Sequence, residues 1–115
     1  VITLMRFNSD GSLDTTFDSD GQWTHSVSTQ GDTGISVIQQ ASGKYVIAGA
    51  TYNVVTNRRD LLLLRISDSG VIDTTFGTSG YVKKSWGSWN ANLSKMIQDA
   101  DGNLIVLAGY YNTNN

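Results

Sequence analysis

The chain has 115 residues, a net charge of −2, no cysteine and no proline, and only 16% of it is charged. Lack of cysteine excludes disulfides, thiolate metal sites and cysteine nucleophiles, and the mildly acidic balance lacks the field of Lys and Arg that nonspecific nucleic-acid binding needs. No apolar stretch approaches the roughly 20 residues of a membrane-spanning helix.

Taken in order, the first expected strand is VITLMRFN (1–8), an apolar run interrupted by Arg6 near its end. After the connection GSLDTTF (11–17) comes QWTHSVS (22–28), which alternates in strand fashion. GISVIQQ (34–40) and KYVIAGATY (44–52) follow, separated by Ala41-Ser42-Gly43, a hairpin turn. DLLLLRIS (60–67) is again apolar with an Arg near its end, and GVIDTTFG (70–77) repeats the earlier connection. YVKKSWG (81–87), LSKMIQD (93–99) and NLIVLAGYY (103–111) complete the series, the last two flanking the turn Ala100-Asp101-Gly102. No segment sustains a helical period.

Displacing the chain by 59 positions aligns residues 6–48 with 65–107, and 12 of those 43 pairs are identical. Such a period marks a solenoid or propeller unit. The expected fold class is therefore all-β, with four-stranded antiparallel blades of a β-propeller and two blades' worth of chain. Unit 1 spans about 1–59 and unit 2 about 60–115. The phase predicts a complete blade at 22–67 and a second at 81–111, completed by strand 1–8 of another copy. Because closed propellers hold about 4–8 blades, the expected partners are further copies in a ring or filament, or further blades of a longer chain. The chain opens at Val1 without a signal-peptide pattern and is read as a mature form or an excised segment. A β-sandwich of eight strands is the alternative, which explains the strands but not the repetition.

RFNSDGSLDTTF followed by GQW, and RISDSGVIDTTFGTSGYV, resemble the delta-60 repeats of bacterial surface and secreted proteins. The likeness covers nearly the whole chain as two tandem units. It implies propeller blades in a secreted or cell-surface setting, without a common activity. Asp18 departs from the pattern where Gly is usual, as does Ser42 where Asp is usual. DGNLIVLAG carries one extra residue before its Ala-Gly, read as a β-bulge that re-aims Tyr110 and Tyr111.

Within each unit an Arg precedes an Asp by eight residues, which predicts the structural ion pairs Arg6–Asp14 and Arg65–Asp73. The repeated Asp-Thr-Thr-Phe is expected in the crossover between blades, with Gly11 and Gly70 at positive-φ turns and Phe17 and Phe76 as buried plugs. His25 is read as a solvated strand residue, and the aspartates of DSDG (18–21) and DADGN (99–103) as turn formers. No catalytic residue, metal site or cofactor is expected. The candidate ligand-binding residues are Trp23, Trp86, Trp89, Tyr110, Tyr111 and Asn112, because flat aromatic faces beside amides suit sugar rings and their hydroxyls; the competing reading is that the aromatics pack between blades, and Trp89 in the loop GSWNAN is the best placed for a ligand. The functional expectation is a noncatalytic extracellular module for structural assembly or recognition of glycan or protein. The alternative is part of a secreted propeller-fold enzyme, a glycosidase or lyase, whose catalytic blades lie outside this segment.

Overall fold

A computed structural model describes residues 1–112. It contains β1 (Ile2–Met5), β2 (Gln22–His25), β3 (Asp32–Gln39), β4 (Tyr45–Asn53), β5 (Arg58–Ile66), β6 (Tyr81–Lys84), β7 (Asn90–Gln98) and β8 (Leu104–Tyr111). All strand pairs are antiparallel, and the fold is all-β and consistent with propeller blades. Each apolar run of the sequence carries a strand. The two hairpin turns repeat as well: Gly43 N–H donates to Gln40 O at 2.9 Å and Gly102 N–H to Asp99 O at 3.1 Å, with φ of 87° and 88°.

Strand order differs from the phase expected above. The four-stranded sheet is β3-β4-β5-β6, spanning 32–84, while β1-β2 and β7-β8 form separate two-stranded sheets. The complete sheet is thus not residues 22–67: β2 pairs with β1 rather than joining β3. The connection 67–80 is long enough to read as a crossover between sheets, yet it folds back onto the strand it leaves. Ser67 N–H donates to Val71 O at 2.7 Å, Asp73 N–H to Arg65 O at 2.9 Å, and Arg65 N–H to Gly80 O at 3.3 Å. Pinned this way, it delivers β6 to the edge of β5. Asp-Thr-Thr-Phe therefore joins two strands of one sheet, and the passage between sheets is made by residues 26–31 and 85–89.

Three layers result. One face of the central sheet (Ile47, Leu62, Leu64, Ile66) packs on Ile2, Phe17 and Trp23 of the β1-β2 side. Its other face (Val46, Ala48, Leu61, Leu63) packs on Ala91, Leu93 and Met96 of β7. With apolar neighbours on both faces, β4 and β5 need continuous rather than alternating apolar residues. Val46, Leu62, Leu64 and Ile66 are all fully buried, and burial of each such side chain contributes roughly 1.5–3 kcal/mol.

The repeat is kept in register. Moved by 59 positions, the β3–β4 pairing becomes the β7–β8 pairing, including the extra residue at Ile35 in β3 and at Ser94 in β7. The bulge therefore sits on the first strand of each pair and not in β8. Ala108 and Gly109 occupy the register positions of Gly49 and Ala50, so the shifted Ala-Gly is a substitution rather than an insertion. Gly21 and Gly80 are buried with φ of 85° and 97°. A Cβ at either would fall 2.5 Å from Leu13 Cγ or Ile72 Cγ2, so both copies of this turn require glycine.

Candidate functional site

The repeated motif builds the same tie twice. Arg6 Nε lies 2.7 Å from Asp14 Oδ2 and Arg65 Nε 2.8 Å from Asp73 Oδ2. The other carboxylate oxygen accepts from a threonine hydroxyl two residues on, Thr16 or Thr75, at 2.6 Å in both copies. The guanidinium carbon stands 4.9 Å above the Phe17 ring centre in unit 1 and 4.8 Å above Phe76 in unit 2, an attractive cation–π arrangement. Phe17 is fully buried, whereas Phe76 is only partly covered by its own core. Gly11 and Gly70 take the positive φ expected of them, 88° and 90°. These side chains fix the connection to its strand, a structural task. The Thr16 hydroxyl and backbone N–H and the Arg6 guanidinium hold the Asp14 carboxyl below its usual range, burial opposing.

The passages between layers are not repeated. In the first, Asp32 is buried against Thr51 Oγ1 (2.7 Å), Val27 N–H (2.9 Å) and Ser28 N–H (3.1 Å). Burial works against its ionisation, but these donors prevail and hold its carboxyl below the usual range. The matching positions of unit 2 are aromatic or apolar: Ala91 for Asp32, Tyr110 for Thr51, Trp86 for Val27 and Trp89 for Gln30. Trp86 and Trp89 bridge each other across Gly87-Ser88. Trp86 stacks on Tyr110 at 6.0 Å and Trp89 meets the same ring edge-on at 5.5 Å. Trp89, Tyr110 and Tyr111 are 41%, 57% and 47% exposed. An aromatic patch thus lies at one end of the outer β7-β8 sheet.

Of the candidate binding residues, Trp86, Trp89 and Tyr110 come together, with Tyr111 next along β8 and Asn112 directly after it. Trp23 does not join them. It lies two layers away, 4% exposed in the first core, because period-two alternation on β2 turns it inward. His25 is only partly exposed, not a free surface residue. Its ring is stacked between Trp23 at 5.5 Å and Tyr81 at 5.9 Å, and its Nε2 lies 2.7 Å from the Tyr81 hydroxyl. That hydroxyl belongs to β6 of the central sheet, so the contact joins two layers through residues 56 positions apart, a separation that no local spacing announces.

Residues 1–17 and 40–76 match a family model described as a β-propeller domain of unknown function (DUF5122). Both matched segments contain the Arg–Asp–Phe tie. No curated protein and no solved structure matches the chain. An all-β chain of antiparallel sheets, whose repeated tie falls inside both matched segments, is consistent with β-propeller blades.

Proposed function

We propose that this module is a noncatalytic recognition unit of a secreted or cell-surface protein, binding glycan through the aromatic patch of Trp86, Trp89, Tyr110 and Tyr111. The carrying observation is that Trp86, Trp89 and Tyr110 break the repeat, whereas Tyr111 keeps the aromatic that unit 1 has at Tyr52. Unit 1 holds Val27, Gln30 and Thr51 at the equivalent places, and while Trp86 also packs against the second core, the Trp89 and Tyr110 rings stay 41% and 57% exposed. Exposed flat faces stack on the apolar face of a sugar ring, and Asn112 follows Tyr110 by two residues along the chain. The carboxylates whose ionisation is shifted, Asp10, Asp14, Asp32, Asp73 and Asp99, all move downward through bonds within their own turns and ties. They serve as acceptors and charge partners, the reverse of a carboxyl raised for proton donation. The delta-60 resemblance supports the extracellular setting.

A glycan array followed by fluorescence titration of the best binder tests this reading. Trp89→Ala and Tyr110→Ala should abolish binding and cost no more than about 1.5 kcal/mol of stability each. Trp23→Ala should cost about 3–5 kcal/mol as a core truncation. If no sugar binds, or if binding survives loss of both Trp89 and Tyr110, the glycan reading fails.

A further inference from the structure

The two outer sheets are complementary halves. The β7–β8 register equals that of β3–β4, and the β1–β2 register equals that of β5–β6, each displaced by 59 positions. Within the central sheet these halves are joined by β4 pairing with β5. In the outer sheets β8 pairs with β7 alone and β1 with β2 alone, among the described residues. The central sheet stands between β8 and β1 of one chain, so they cannot meet each other.

We infer that β8 of one copy of this chain docks in the groove beside β1 of a second copy, completing a four-stranded blade between them. Displacing the β4–β5 register gives the pairing: Leu104 opposite Phe7, Val106 opposite Met5, Leu107 opposite Leu4 and Ala108 opposite Thr3 of the second copy. The receiving groove, about 430 Å³, runs between β1 and β3 and is lined by Ile2, Leu4, Gly34, Ile35 and Val37 among others.

Side-chain size supports this occupant. Val46 and Ala48 are fully buried in the core that contains Leu93 and Met96. Their counterparts on β8 are larger, Ile105 and Leu107, and are 48% and 67% exposed. The counterparts of Leu93 and Met96 on β3 are smaller, Gly34 and Val37. What β8 gains in volume, the groove has lost, so the junction keeps the filling of the internal interface. Charge supports it too. Arg65 Nη1 donates to Gln40 Oε1 at 3.3 Å inside the central sheet. The corresponding residues at the junction are Arg6 and Asp99, of opposite charge. A head-to-tail contact of this kind closes into a ring or extends as a filament. Three or four copies would supply six or eight blades, within the roughly 4–8 of closed propellers.

Sedimentation equilibrium of the 115-residue chain should give a multiple of 12.5 kDa. Leu107→Asp should release monomers with an unchanged far-UV spectrum. Under oxidising conditions Thr3→Cys/Ala108→Cys should form a ladder of disulfide-linked copies. Val55→Cys/Ala108→Cys, with Val55 88% exposed and not among the residues lining the groove, should not. Should Leu107→Asp unfold the chain instead, the cysteine ladder decides by itself. A chain that stays monomeric at all concentrations overturns the inference and assigns the groove to a flanking repeat of a longer protein. Assembly without the Thr3–Ala108 crosslink overturns it as well, because the copies then meet through another surface.

Discussion

Lys44 Nζ lies 2.7 Å from Asp73 Oδ2, the same oxygen that Arg65 Nε approaches at 2.8 Å. Lys44 stands at the entry to β4 and Asp73 in the connection after β5, so one carboxylate fastens that connection to two strands. The position of Lys44 is held by Asn103 in unit 2, so its counterpart offers an amide where Lys44 offers an ammonium.

This arrangement makes the fold acid-sensitive in a defined direction. The Lys44 ammonium first, then the Thr75 hydroxyl, with the Arg65 guanidinium adding, hold the Asp73 carboxyl far below the usual carboxylate range. Its folded-state pKa is below its unfolded value of about 3.9. The resulting stability is therefore fully present above that value and lost as pH falls through and below it. Asp73→Asn should lower the melting temperature by several degrees at pH 7, and its difference from wild type should narrow as pH drops below about 4. Melting curves across that range check this, and a difference independent of pH would remove Asp73 from the account.

Tyr81 supplies a second test. Its phenol is raised above its usual range by burial, so the neutral hydroxyl is the form that meets His25. Tyr81→Phe keeps the stacked ring and removes only the bond between layers. Urea unfolding should show a loss of about 1 kcal/mol. His25→Ala, which also removes the ring between Trp23 and Tyr81, should lose more. Equal stability of Tyr81→Phe and wild type would show that the bond holds nothing.

Much of this was legible from spacing. Arg6, Asp14 and Phe17 recur as Arg65, Asp73 and Phe76, and the backbone between them forms the same turns, so the ties could be read from the intervals alone. Strand positions followed from apolar runs for the same local reason. Which strands share a sheet was not legible. QWTH can pair with VITLM on one side or GISVIQ on the other without violating its own pattern, and the choice is made by backbone bonds that fold the intervening connection back. The aromatics were ambiguous because Trp23 and Trp89 differ in layer rather than in local sequence. One passes inward between two sheets; the other caps an outer one. The signal that could have separated them is the repeat itself, since Trp86, Trp89 and Tyr110 replace non-aromatic residues of unit 1.

The strand order β1-β2, then β3-β4-β5-β6, then β7-β8 underlies both the exposed aromatic patch and the docking groove, and one crosslink tests it. Thr3 and Thr24 are exposed register partners on β1 and β2, with their hydroxyls 3.5 Å apart. Antiparallel partners have Cα atoms about 4.5–5.5 Å apart, within the roughly 4.4–6.8 Å that a disulfide spans. In this cysteine-free chain, Thr3→Cys/Thr24→Cys should close an intramolecular disulfide on oxidation, and Thr24→Cys/Val37→Cys, which joins β2 to β3, should not. A disulfide between positions 24 and 37 in place of one between 3 and 24 would return β2 to the sheet of β3 and contradict the three-layer arrangement.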